Sequence, residues 1–189
     1  MTYPATTLTE AQIFSALRQW LIATLPPNVP VIRGQPNRVA EPQAPLFVVI
    51  TQLYSERLET NTDTYSDQYP SGSSTISQSA PFKVTFQVDF HGAQQDGDTL
   101  YGAADCMHTC ATLWRSEYGI TLMNTANSAV TPLYVDIRGQ TPWTNGEAQI
   151  EERWTMDAAV QANMSVTIPQ QFAGALHANI IDVTAVYPH

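Results

Sequence analysis

Histidine and cysteine are the side chains here best suited to bind a metal or to act in catalysis, but their spacing favours neither. Only His108 has other potential metal ligands close by, since it stands between Cys106 and Cys110. Residues two apart on a helix point in different directions, so these three side chains cannot converge on one ion. Two cysteines four apart on a helix also have poor disulfide geometry. We therefore predict reduced thiols, no metal and no cofactor.

The remaining polar motifs lack a catalytic arrangement as well. The chain has no glycine-rich phosphate cradle and no Gly-x-Ser-x-Gly nucleophile turn. The Asp-Gly-Asp run at 96–98 lacks the further ligands of a calcium loop, so we expect a turn and a helix cap there. Glu151 and Glu152 are adjacent on a predicted strand and point to opposite faces, so they cannot form an acid/base pair. We predict that the protein is not an enzyme.

The composition fits one domain with a weakly charged, acidic surface. The chain has 189 residues, of which 43% are hydrophobic and only 13% charged, about half of the usual share. A surface poor in charge favours burial against neighbouring subunits, although a lightly charged monomer is the alternative. The net charge of −9 argues against a phosphate-binding surface, and Lys83 is the only lysine.

The sequence contains neither a membrane span nor a secretory signal. No apolar run is long enough to cross a bilayer, and the N-terminus lacks a basic segment followed by a long apolar core. We therefore expect synthesis in the cytoplasm and no membrane partner.

The first helix has the clearest boundaries. Thr9 and Gln12 form a capping-box pattern, an apolar stripe follows, and Pro26 and Pro27 end the helix. The stripe consists of Ile13, Leu17, Trp20, Leu21 and Leu25.

The rest of the chain predicts one α+β domain over residues 1–189, with a mixed, mostly antiparallel sheet and two main helices packed on one side. Phe82, Val84, Phe86, Val88 and Phe90 share one face of a strand, and the polar residues between them face water or a partner sheet. Further elements are expected as strands at 30–33 and 46–53, a helix at 99–117 closed by Gly119, strands within 122–138 broken by Pro132, and strands at 149–167 and 180–186.

Residues 54–80 form a long polar excursion between two strands. Such a segment is typical of a functional arm or of an exposed loop. We favour an arm with hairpin character at its base, because Tyr54 and Tyr65 lie near its ends.

Three stretches in a fixed order resemble the neck/tail terminator family of tailed bacteriophages. They are Arg33-Gly34-Gln35-Pro36-Asn37 with the proline-led strand at 42–50, the strand at 84–90 followed by His91-Gly92 and an alanine-rich helix at 100–114, and Glu151-Glu152-Arg153-Trp154-Thr155-Met156-Asp157. The last resembles the family's Glu-x-Arg-aromatic-x-x-Asp strand.

The resemblance implies a structural protein of the virion, made in the host bacterial cytoplasm. Such proteins close into a ring, expected to be hexameric, that caps the tail tube, stops its polymerisation and docks to the head connector. The implied partners are other copies of the chain, the tail-tube protein, and the sheath and connector proteins, while DNA passes through without specific binding. We expect the subunit or tube interface to include Arg33, Gln35, Asn37, Arg38, Tyr65, Tyr69 and Arg153.

Two other functions stay open at this point. A head-completion or tube-like virion protein would share the acidity and low charge. A small-ligand binding domain or enzyme would instead need a pocket under the arm.

Overall fold

The computed structural model describes residues 4–34, 42, 44–66, 74–92, 102–144 and 150–169. Its elements are α1 (Glu10–Thr24), β1 (Val31–Arg33), β2 (Leu46–Arg57), β3 (Thr62–Ser66), β4 (Thr75–Gly92), α2 (Ala103–Leu113), α3 (Glu117–Ala126), β5 (Val130–Gln140), β6 (Trp143–Thr144) and β7 (Ile150–Pro169). None of the helices in these ranges is long and apolar enough to cross a membrane.

Two long antiparallel strands, β4 and β7, form the centre of the sheet. The strand order is β1-β2-β4-β7-β5, with β3 paired to β4 and β6 paired to β7. Only β1 runs parallel to its neighbour, β2. The mixed, mostly antiparallel sheet that the sequence predicts is therefore confirmed.

The hydrophobic core lies between the helices and one face of the sheet. Val84, Phe86, Val88 and Phe90 alternate along β4 and are fully buried there, as the period-two pattern predicts. Met156, Ala158 and Val160 of β7 lie opposite Val88, Phe86 and Val84, and with Ala162 they complete the sheet side of this core.

The prediction for α1 is confirmed at both ends. The Thr9 hydroxyl accepts from the Gln12 backbone N–H at 3.3 Å, and the Gln12 side chain accepts from the Thr9 N–H at 2.8 Å. These bonds satisfy two donors that a helix start otherwise leaves open. The apolar stripe faces the core, and Trp20 packs edge-on against Trp114 with ring centroids 4.9 Å apart.

The helix predicted at 99–117 is wrong in its extent, because α2 ends at Leu113 and a separate helix, α3, begins at Glu117. Gly119 does not end α2; it lies in the first turn of α3, where its N–H donates to the Ser116 hydroxyl at 3.0 Å. Glycine is needed there because a Cβ would lie only 2.0 Å from the Leu113 carbonyl oxygen. The Gly119 carbonyl also accepts from Trp20 Nε1 at 2.8 Å. In the sequence, a glycine that a close packing contact requires therefore looks like a glycine that ends a helix.

The strand predictions hold with changes in length. β2 continues to Arg57, beyond the predicted end at 53, because a bulge between Gln52 and Tyr54 interrupts the alternation without ending the pairing. Leu122, expected at a strand start, belongs to α3. Pro132 lies within β5 at a register shift rather than between two strands. The expected turn at 96–98 and the strand at 180–186 lie outside the described residues.

The predicted arm has a hairpin at its base. β3 pairs antiparallel with the first part of β4, from Thr62 opposite Ser79 to Ser66 opposite Thr75. β3 also continues the line of β2 along the same edge of β4, after an interruption at 58–61. The strands of the hairpin therefore extend the main sheet, while its tip at 67–73 lies outside the described residues.

Candidate subunit-contact surface

The sheet side opposite the helices, which we call the open face, carries a row of polar and charged side chains. Within the described ranges no helix packs on it. Its main members are Tyr54, Glu56, Lys83, Thr85, Gln87, Asp89, Tyr134, Arg138, Arg153, Thr155 and Asp157.

Asp89 is the centre of the largest hydrogen-bond group on the open face. The residue is only 5% exposed, and its carboxylate accepts from Arg153 Nε at 3.1 Å and from the Thr155 hydroxyl at 2.7 Å. Gln87 Nε2 donates to both carboxylate oxygens, at 3.1 and 2.8 Å. A buried carboxylate needs such donors, because an unpaired charge away from water is costly.

A second ion pair lies one strand further toward the β5 edge. Arg138 Nε and Nη2 donate to the same oxygen of Asp157, at 2.8 and 2.6 Å. Hydrogen bonding to Asp157 raises the pKa of the Arg138 guanidinium. Since the Arg138 side chain is 65% exposed while that of Asp157 is 11% exposed, the arginine lies over the carboxylate from the solvent side.

Lys83 forms the third charged cluster and is held from three sides. Its ammonium pairs with Glu56 and lies 5.8 Å from the ring centre of Tyr54 and 5.6 Å from that of Tyr134. Hydrogen bonding to Glu56 raises the pKa of Lys83 above its ordinary value. The lysine side chain is only 13% exposed, whereas both tyrosines are among the exposed large side chains. The cluster therefore presents the two aromatic rings and the Glu56 carboxylate to solvent, with the lysine ammonium beneath them.

The predicted interface residues within the described ranges do not come together at one place. Arg33 ends β1, pairs with Glu10 of α1 and lies 5.3 Å from the ring centre of Phe14. Tyr65 is 60% exposed on β3, and Arg153 belongs to the Asp89 group. Gln35, Asn37, Arg38 and Tyr69 lie outside the described residues.

Sequence reasoning missed most of the open face. The alternation along β4 did place Lys83, Gln87 and Asp89 on a polar side. Their partners could not be found in this way, because Arg153 is 64 positions from Asp89 and is aligned with it only by the pairing of β4 with β7. Trp154 packs toward α2 instead, with its ring 5.9 Å from that of His108.

The cleft at the base of the hairpin has a volume of about 260 Å³ and is lined mainly by apolar and amide side chains, with Arg57 at its rim. The Arg57 Nε donates to the Glu59 carbonyl at 2.8 Å, so this guanidinium is engaged within the hairpin. Among the residues that the structure covers, no three His, Cys, Asp or Glu side chains are grouped to hold a metal.

Both cysteines are free, as the sequence predicts, and both are buried. Burial raises the pKa of the Cys106 thiol to about 11 and that of Cys110 to about 12. A thiol is nucleophilic as its thiolate, so neither side chain has the reactivity of a catalytic cysteine.

Comparison with known proteins identifies the family. No curated protein sequence matches the chain. Among solved structures, the sheath/tube terminator of an extracellular contractile injection system (PVC) in its extended state has a similar fold, with 13% sequence identity and a TM-score of 0.52. The match covers 94% of this chain and 64% of that protein, and at this identity it concerns the fold alone. The family model described as phage neck terminator protein matches residues 11–185, so the chain belongs to the phage neck terminator family.

Proposed function

We propose that the protein forms a ring of six copies that caps the tail tube, stops its polymerisation and docks to the head connector. The family match over residues 11–185 carries this proposal, because it places nearly the whole chain in a family of neck terminators. The tube protein, the sheath and the connector are the partners of such a ring.

The pairing of charges on the open face supports burial of this surface between proteins. Each of the cations Lys83, Arg138 and Arg153 is paired with a carboxylate of its own chain. A partner that covers the face therefore meets three cations that are already paired, and exposed aromatic rings at Tyr54 and Tyr134. Aromatic side chains are common at the centres of protein interfaces, whereas unpaired charges are rare there.

The overall charge supports passage of DNA through the ring. The chain has 17 acidic and only 8 basic residues, and a net negative surface repels the phosphate backbone. DNA would therefore move through a lumen of this composition without adhering to it. Such a ring is part of the virion, in the tail or neck, after synthesis in the host cytoplasm.

The proposal is tested by mixing the purified protein with purified tail tubes and imaging the tube ends by electron microscopy. We expect a ring of density at one end of each tube. Light scattering of the free protein gives the number of copies in solution. If the ring forms only on the tube, the free protein is a monomer and the imaging result decides. Unmodified tube ends at saturating protein would contradict the proposal.

A melting experiment distinguishes this structural role from ligand binding in the hairpin cleft. A ligand that binds only the folded state raises the melting temperature. We expect no shift across a panel of metabolites, and a saturable shift that is lost in an Arg57→Ala variant would favour the ligand-binding alternative.

A further inference from the structure

The sheet has two margins, and most of their length is protected against strand addition. Exposed sheet edges offer unpaired backbone groups to other chains, and proteins guard them with short strands, bulges, proline and charge. β5 forms one margin up to Ala162 of β7 and contains Pro132, two register shifts and Gly139 at φ 96°. Beyond Ala162 the N-terminal segment covers the edge of β7, where Thr6 bridges to Val166 and the Thr7 N–H donates to the Ser165 carbonyl. On the other margin, β1 has three residues, and the end of β2 follows a bulge and carries Glu56 and Arg57.

The remaining part of that margin, β3, lacks these protections. It has five residues, Thr62–Ser66, all exposed, and it pairs with β4 in unbroken register. It contains no proline and no lysine, and Asp63 is its one charged residue. Within the described part of the chain no strand pairs with its outer edge. β3 is therefore the place where this sheet can accept another strand.

The two faces of the hairpin differ in chemistry, and this difference specifies the strand that would fit. Tyr65, Ile76 and Ile168 lie in one row across β3, β4 and β7. On the opposite face Thr64, Ser77 and Thr167 form a hydroxyl row, in which Ser77 Oγ and Thr167 Oγ1 are 2.8 Å apart. A matching strand must alternate apolar and polar side chains in the same way.

The C-terminal part of the chain contains such an alternation. In residues 180–186, which lie outside the described ranges, Ile181, Val183 and Ala185 alternate with Asp182 and Thr184. The stretch is rich in β-branched residues and reads as a strand. β7 ends at Pro169, which pairs with Thr75 at the hairpin, so the chain leaves the sheet two strands away from β3.

We propose that the outer edge of β3 accepts residues 180–186 from a neighbouring copy of the chain, which adds one strand across each subunit boundary. This inference rests on the ring proposed above. Residues 170–179 can span up to about 33 Å when extended, which is enough to reach an adjacent copy. Pairing between copies also occupies the unguarded edge while it joins the subunits, whereas pairing within one copy would leave the boundary without this contact.

Disulfide trapping on capped tubes tests the proposal. The first variant is Thr64→Cys. The second is either Asp182→Cys or Thr184→Cys, because both side chains would lie beside the hydroxyl row. When the two variants are mixed, assembled and oxidised, we expect a disulfide-linked heterodimer with at least one of the second positions. Cys106 and Cys110 do not compete, because both are buried.

The control places the second cysteine at Val183, which would point to the opposite face. We expect its cross-link with Thr64→Cys to be largely lost. Equal cross-linking at 182, 183 and 184 would contradict an ordered strand, and no cross-link at any of them would overturn the proposal. A disulfide within one chain, seen when both substitutions are in the same molecule, would overturn pairing between copies.

An assembly measurement gives an independent readout. Val183→Asp would place a charge beside the row of Tyr65 and Ile76, while Thr184→Asp would place it on the hydroxyl side. We expect the first variant to need several-fold more protein to cap tubes and the second to behave like the original chain. If both variants cap tubes as well as the original chain does, the strand proposal is wrong and the proposed function stands. If the original chain itself does not cap tubes, the proposed function is wrong.

Discussion

Arg153 and Asp89 lie on the two central strands with Nη2 of the arginine 3.0 Å from Oδ1 of the aspartate. The Asp89 side chain is 7% exposed and that of Arg153 is 28% exposed, so this pair is largely withdrawn from water. Thr155 and Gln87 complete the donors around the carboxylate. The geometry therefore makes Asp89 the shared acceptor of Gln87, Arg153 and Thr155.

Asp89→Ala should therefore destabilise the fold. The substitution leaves the Arg153 guanidinium without its carboxylate in a largely buried position, which costs about 2–4 kcal/mol. Urea unfolding measures the loss. The control is Arg33→Gln, which breaks an exposed pair with Glu10 and should cost less than about 1 kcal/mol. Equal losses in the two variants would contradict the assignment.

Gly119→Ala should disrupt the junction between α2 and α3. Its Cβ would lie 2.0 Å from the Leu113 carbonyl oxygen, so the backbone must move, at a cost of about 1–3 kcal/mol. The carbonyl that accepts from Trp20 moves with it. Thermal unfolding followed by tryptophan fluorescence reports both effects.

Gly102→Ser is the matched control for the Gly119 variant. Gly102 is the N-cap of α2, and a Cβ there would meet nothing closer than the Asp105 carboxylate at 3.8 Å. Serine is a good N-cap residue, so the melting temperature should be unchanged or higher. A large loss at Gly102 with none at Gly119 would contradict the packing described for α3.

The ionisation of Lys83 should depend on Glu56. Hydrogen bonding to Glu56 raises the pKa of the lysine in the folded protein, so the pair stabilises the fold below the ordinary lysine pKa of 10.5. This stabilisation is lost as the pH rises through the higher folded value. Because the chain has one lysine, lysine labelled with ¹³C gives a single NMR signal to titrate. Glu56→Gln should lower its midpoint, and identical midpoints in both proteins would refute the coupling.

Deletion of residues 63–77 should weaken assembly and leave the fold intact. The deletion removes most of β3 and the start of β4. In the described part of the deleted segment, Ile76 is the only residue that is both apolar and buried. Ile76 does not belong to the main core cluster. Circular dichroism and tube capping measure the two properties separately. Loss of folding would show that the hairpin is part of the core.

The parts of the fold that the sequence predicted are those with local signals. Thr9 and Gln12 cap a helix within one turn, and the alternation from Phe82 to Phe90 needs only neighbouring residues. The division between α2 and α3 was missed because Gly119 serves a contact with a preceding turn. The ion pairs of the open face depend on the register between strands that are far apart in the sequence. Local sequence patterns do not determine this register.

The central claim, that the protein ends tail-tube growth, is tested most directly by the length of tubes polymerised from purified tube protein. When the chain is added during growth, we expect tubes to stop elongating and to carry a ring at the growing end. The mean length should fall as the ratio of this chain to tube protein rises. Tubes that reach the same length at every ratio would contradict the account.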